Sequence, residues 1–402
     1  GDAYQNIAIL LRNHQHKPFA DYEPFCAQSV RYYPYERRSA AALLRSKGAD
    51  DGDSPAAAAA LQGNAAEALD KARPQVKAKL DEGDIDGALT VLDGITKDCK
   101  EYAPYHALRG DVTLQLARKS RDEKRKGAEF FFQDAVAALK KAVSLDSEPT
   151  APRLMLAQAM FDANDLEGAA NTASALLLHM QSKGGGKQED LMAVHTLRAD
   201  AASRAFAAMK AEGKDNQELL TAARTSFRAL EQQEMLSNNT RALWSNTEQW
   251  AGAAAEAVNI YARAVAKNPE DQAMLGALVD TAAAQEQLPL AQQALQARTD
   301  ATGLWYLGRV RFLLAASDRA AGKNADALKT LDTAQQSFGQ SMQKNAGYRD
   351  SCEQWIAMCL GKKGNIAFRM DDVANAEKWL MEAVQKRPDR IADDLGLNET
   401  TK

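Results

Sequence analysis

The chain has 402 residues, 45% hydrophobic and 26% charged, with aromatics at only 6% and a net charge of −4. That is globular composition, long enough for several domains or one extended array. Its abundant alanine and scarce aromatics argue against large β-sheets and for an all-α chain, and its acidic balance argues against a surface built to neutralise phosphates.

In chain order, residues 1–45 form a non-repeat, aromatic-rich helical segment, with Phe19, Tyr22, Phe25, Tyr32, Tyr33 and Tyr35 crowded together. The stretch "IAILL" at 7–11 is too short for a signal-peptide core, and no apolar run approaches the roughly 20 residues of a membrane span. The location is open, with a cytoplasmic one slightly favoured. The chain begins at Gly1, not Met, so export stays open. Residues 46–68 read as a linker by their Gly, Asp and Ser content. The four cysteines, Cys26, Cys99, Cys352 and Cys359, are scattered. They read as small packed residues and not as a disulfide framework.

From residue 69 to 390 one pattern recurs: Ala, an apolar residue at the fourth place after it, and a small or apolar one at the seventh. It appears as Ala88/Leu92/Ile95, Ala135/Leu139/Ala142, Ala169/Ala173/Leu176 and Ala223/Phe227/Leu230. It continues as Ala257/Tyr261/Ala264, Ala327/Leu331/Ala334 and Ala376/Leu380/Ala383, with a partial match at Ala291/Leu295. Ala135 to Ala169, Ala223 to Ala257 and Ala257 to Ala291 are each 34 residues, and the other intervals are longer. Turn signals ("EGD", "AND", "AGKN", "MDD") precede several of these alanines, so each unit reads as helix, turn, helix. Eight units follow: 69–102, 103–149, 150–187, 188–237, 238–271, 272–300, 301–346 and 347–390. Residues 391–402 are an irregular tail.

These residues resemble the tetratricopeptide repeat family, which repeats every 34 residues with a Gly, Ala and Pro signature. The last unit matches through Gly364, Ala376, Leu380, Ala383 and Pro388. The unit at 238 matches through Ala257, Tyr261, Ala264 and Pro269, and Gly110 and Gly308 fit the first-helix glycine of two more. The family's early Trp is mostly missing. Helix-compatible insertions at about 115–129, 205–217 and 312–321 lengthen three hairpins. The resemblance implies an all-α, right-handed superhelical solenoid of stacked antiparallel helix pairs.

No stretch assembles a catalytic, metal or cofactor site. "GGGK" at 184–187 lacks the spacing and strand of a phosphate loop and reads as an inter-repeat connection. His14 and His16 have no third ligand nearby. The basic run "RKSRDEKRK" at 118–126 reads as the solvated end of a lengthened hairpin rather than a nucleic-acid patch. In "EFFFQ", Phe130, Phe131 and Phe132 point about 100° apart, so one ring must meet another repeat or a partner.

In the family, positions 2, 5, 9 and 12 of each first helix line a concave face. Carried over, they place Trp305, Arg309 and Phe312 there, with Asn239, Asn246 and Gln249, Leu154, Gln158 and Phe161, and Arg73 and Lys77. Trp and Arg dominate interface energetics, and amide side chains can pair with an extended backbone. The family's carboxylate clamp is not expected, because Gly361 stands at the lysine position four residues before Asn365. The resulting expectation is a non-enzymatic scaffold that binds a protein or peptide segment, without cofactor, metal, nucleic acid or transmembrane segment. The alternative is a structural subunit of a multiprotein, envelope-associated complex, docking through residues 1–45 and the convex face.

Overall fold

The computed structural model describes residues 53–387, with a few isolated positions ahead of them. The rest of the segment 1–45, including Cys26, His14 and His16, lies outside the described residues, as do Pro388 and the tail 391–402. Every regular element among the described residues is helical. The chain divides into two compact units, Gly1–Ala205 and Phe206–Lys402.

The N-terminal unit holds three hairpins: α1 (Asp53–Asp81) with α2 (Ile85–Gly94), α3 (Ala103–Asp122) with α4 (Ala128–Leu145), and α5 (Thr150–Asp162) with α6 (Leu166–Ser182). The division falls inside α7 (Gln188–Ala211), which α8 (Gln217–Gln232) follows. The C-terminal unit continues with α9 (Asn238–Trp250) and α10 (Ala254–Lys267), then α11 (Gln272–Ala284) and α12 (Leu288–Leu295). It ends with α13 (Ala301–Ala320) and α14 (Asn324–Lys344), then α15 (Arg349–Arg369) and α16 (Val373–Lys386).

The alanine pattern marks where helices approach closely. Ala88, Ala135, Ala169, Ala223, Ala257, Ala291, Ala327 and Ala376 are all at most 2% exposed. Tyr261, Ala264 and Ala383 are buried too, Leu380 is half-buried, and Pro269 is exposed after the end of α10. A first-helix glycine receives the opposing side chain. A Cβ on Gly364 would sit 2.5 Å from Leu380 Cγ, and one on Gly308 2.6 Å from Phe338 Cε1. Gly110 meets Leu139 in the same way. Adding a methyl at such a contact costs about 1–3 kcal/mol.

The turns follow one design as well. Asn164 and Asp371 have φ of 62° and 61°, the left-handed conformation that ends the first helix. The next residue, Asp165 or Asp372, caps the second helix by accepting from the N–H of Gly168 or Asn375. "AND" and "MDD" are therefore a helix stop and a helix start written in consecutive residues.

The lengthened hairpins carry their insertions as extra turns of helix. α3 has 20 residues, α7 has 24 and α13 has 20, against 13 in each of α5, α9 and α11. The linker expected at 46–68 is corrected from Asp53 onward, where α1 begins. Five consecutive alanines at 56–60 have the highest helix propensity and outweigh the Gly, Asp and Ser around them.

The basic run at 118–126 is used between hairpins. Arg118 Nη2 lies 2.7 Å from Asp162 Oδ2 and Arg121 Nη1 3.2 Å from Asp162 Oδ1, tying α3 to α5. Arg121 also covers the ring of Phe132, which is buried at 4% exposure, while Phe130 is exposed. "EFFFQ" thus splits its rings between core and solvent, as helical geometry requires.

Candidate partner-binding faces

In the N-terminal unit, the starts of α3 and α5 border a cleft of about 400 Å³. Pro104, Ala107 and Asp111 line it from α3, Ala151 and Met155 from α5, Asp146 from the end of α4 and Arg73 from α1. The local sequence explains the opening. Prolines sit in the first turns of α3 and α5, where no helical N–H is lost, and the alanines beside them leave volume unfilled. The cleft is apolar within, with two carboxylates and one guanidinium at its edge.

Arg73 borders this cleft, with only a weak surface contact to Asp70 at 3.7 Å, and Lys77 is exposed one turn further on. Leu154 is not part of an open face. It packs against the core of Ala157, Ala173 and Leu176. Gln158 is half-buried, and the ring of Phe161 is covered by the Arg204 guanidinium at 5.4 Å. The lining residues Pro104, Ala107 and Asp111 stand at positions 2, 5 and 9 of α3 but were not singled out in the sequence. The signal was the position, and small side chains concealed it.

In the C-terminal unit, α9 exposes Asn239 and Asn246. Gln249 is engaged: its Nε2 donates to Asn246 Oδ1 at 3.4 Å, and its Oε1 accepts from Gln285 of α11 at 3.1 Å. The expected aromatic binding face on α13 is corrected. Phe312 is buried at 9% exposure with its ring edge-on to Trp355 at 5.3 Å. Trp305 Nε1 donates to Ser351 Oγ at 3.0 Å, and its ring meets Tyr306 at 4.8 Å and Trp355 at 6.4 Å. Arg309 lies over Trp305, Tyr306 and Trp355 at 5.3, 5.8 and 5.8 Å, and pairs with Asp280 of α11 at 3.3 Å. Tyr306 donates to the Gln272 carbonyl at 3.1 Å, and burial raises its phenol above the ordinary value. These side chains join α11, α13 and α15 to one another. A cavity of about 350 Å³ remains beyond Phe312, bordered by Leu331, Ile366 and Lys362.

The most buried charge belongs to packing. Glu248 of α9 is 1% exposed. It accepts from Arg224 of α8, with Nε at 2.9 Å, and from Trp244 Nε1 at 3.2 Å. Burial also pushes the thiols of Cys99, Cys352 and Cys359 above their ordinary value, which leaves little thiolate to react. Among the described residues no cluster of His, Cys, Asp and Glu could hold a metal, and no helix is long and apolar enough to cross a membrane.

Comparison with known proteins gives one family match. Residues 129–183, spanning α4 to α6, match the tetratricopeptide repeat family model. No curated protein matches the chain by sequence. Among solved structures, a tetratricopeptide repeat protein from Parabacteroides merdae ATCC 43184 is 13% identical, with 73% of this chain and 99% of that one covered and a TM-score of 0.35. Yeast Tom70 is 12% identical, with 80% of this chain and 69% of that one covered and a TM-score of 0.28. The tetratricopeptide repeat family model thus matches one stretch of the chain, residues 129–183, and the alanine and glycine contacts of that stretch's kind recur in the other hairpins.

Proposed function

We propose that the protein is a non-enzymatic scaffold that captures an extended segment of a partner protein, with the cleft between α3 and α5 as its anchor. One observation carries this reading: the cleft is an unfilled apolar volume on the first-helix face, edged by Asp111, Asp146 and Arg73. It fits a segment that inserts one aliphatic or aromatic side chain and carries a basic residue beside it, facing the two carboxylates. The exposed Asn239 and Asn246 supply a separate polar face on α9. This reading leaves out Trp305, Arg309 and Phe312, whose side chains contact Ser351, Asp280 and Trp355.

The test is affinity capture from native extract with the wild-type chain and an Ala107→Trp variant, whose indole fills the cleft. The variant is expected to keep its helical circular dichroism and melting temperature and to lose the captured protein. A folded Ala107→Trp variant that captures the same protein equally well rejects the cleft as the anchor.

A further inference from the structure

The short hairpin of α11 and α12 leaves a polar cavity in the C-terminal unit. α12 has 8 residues, against 14 in α10 and 21 in α14. The third place of the alanine pattern is Ala264 in α10 and Ala334 in α14. In this repeat it falls on Arg298, beyond the end of α12 at Leu295. Where the other second helices run on, a cavity of about 680 Å³ opens between the chain after α12 and the helices α13 and α14.

Three cations border this cavity, and none of its lining residues is acidic. Arg298 is held in place. A Cβ on Gly303 would sit 2.6 Å from both Cβ and Nε of Arg298, so the glycine seats its stem. Asp300 accepts from Nε at 2.6 Å and from Nη2 at 2.7 Å, while Nη1 is buried without a partner. Arg311 of α13 is half-buried and meets no carboxylate. Its Nη1 donates to the Thr333 carbonyl at 3.2 Å and to Ser337 Oγ at 2.6 Å, both neutral groups of α14. Burial lowers its guanidinium below the ordinary value. Lys344, in the last turn of α14, is exposed beside them. A cation drawn partly out of water without a counter-charge is costly, and an anion entering the cavity offsets that cost.

We propose that this cavity binds an acidic segment of a partner protein, with a Glu or Asp side chain entering between Arg311 and Lys344. The flat guanidinium fork matches a carboxylate. The rest of the lining favours a peptide over a free anion. Gln296, Gln340 and Gln343 border the cavity and are exposed. Each amide both donates and accepts, as the backbone of an extended segment requires, whereas a free phosphate leaves their carbonyl oxygens little to accept. The buried Leu304 and Leu307 also border the cavity and suit the methylene groups of a glutamate. The site is independent of the α3–α5 cleft, which belongs to the other unit and is edged by carboxylates.

Fluorescence anisotropy with the 1–402 chain tests this. The probe is a labelled peptide of glutamates flanked by glycines, and its control is the matching glutamine peptide. The glutamate peptide is expected to bind with a Kd of about 100 μM or tighter, and the glutamine peptide about tenfold more weakly or worse. Lys344→Glu and Arg311→Gln are each expected to weaken binding by about fivefold or more while circular dichroism stays unchanged. Lys329→Glu makes the same charge change at an exposed position about 22 Å back along α14 and is expected to leave binding intact. If Arg311→Gln unfolds, Lys344→Glu decides, because its side chain is exposed. The proposal is overturned by a glutamate peptide that does not saturate, by equal binding of the glutamine peptide, by indifference to Lys344→Glu or by an equal loss in Lys329→Glu. Inorganic phosphate that displaces the glutamate peptide at micromolar concentration marks a site for a free anion and overturns the peptide reading.

Discussion

Positions 2, 5 and 9 of a first helix carry Pro104, Ala107 and Asp111 in α3, and Thr302, Trp305 and Arg309 in α13. In α3 these small residues leave a cleft of about 400 Å³. In α13 the large ones reach their neighbours and close the space: Trp305 to Ser351, Arg309 to Asp280, and Thr302 Oγ1 to Tyr348 Oη at 2.8 Å. The residue types that dominate interfaces between proteins also dominate interfaces between repeats, because both are buried contacts between separate surfaces. A Trp at a family binding position therefore says that a contact exists, and its neighbours decide whether that contact is internal.

The comparison predicts opposite consequences of mutation in the two places. The largest effect is expected for Phe338→Ala. Its ring is fully buried, stacked on Trp355 at 5.7 Å and seated against Gly308. Truncation should cost about 3–5 kcal/mol in urea unfolding, and a cost under about 1 kcal/mol would mean that the aromatic cluster is not core. Arg309→Ala comes next, at about 1–2 kcal/mol, because it removes a cation from three rings and breaks the Asp280 pair. It should leave partner capture intact, and a loss of capture without a loss of stability would restore α13 as a binding surface.

Asp111→Asn probes the open side. It should change stability by no more than about 0.5 kcal/mol and still weaken capture of a segment with a basic residue. Equal capture by the Asn variant would remove Asp111 from the contact.

A pH-dependent effect concerns Asp300, which caps α13 by accepting from the Gly303 N–H and is gripped by Arg298 at 2.6 and 2.7 Å. The Arg298 guanidinium above all, aided by that N–H, lowers its carboxyl to about 2. The folded value lies below the unfolded one, so this stabilisation is present above about pH 4 and is lost as pH falls through 2. Asp300→Asn should flatten that part of the melting-temperature profile between pH 5 and pH 2, and an unchanged profile would show that the grip contributes nothing.

Much of the architecture was legible in the sequence because it depends on side-chain size at fixed offsets. A helix crossing at Ala257 or Gly364 tolerates no larger residue, so the constraint recurs wherever the crossing recurs. The turn pairs Asn164–Asp165 and Asp371–Asp372 are local backbone chemistry and can be read without knowing what packs around them. The helix at 53–68 was obscured because linker-like residues flank its alanine run.

The cleft was less legible. Of its lining, Arg73 was named from its position, but Pro104, Ala107 and Met155 carry no chemical mark. A cleft is volume that neighbouring side chains leave empty, and three helices must be placed before it exists. By itself, then, the sequence determined the repeat, its turns, its lengthened hairpins and its dependence on small residues, all of them consequences of contacts at constant spacing. Only the tertiary structure decided that Trp305, Arg309 and Phe312 contact their own chain and that a cleft opens between α3 and α5. Exposure is a property of every neighbour at once, and no single position in the sequence carries it.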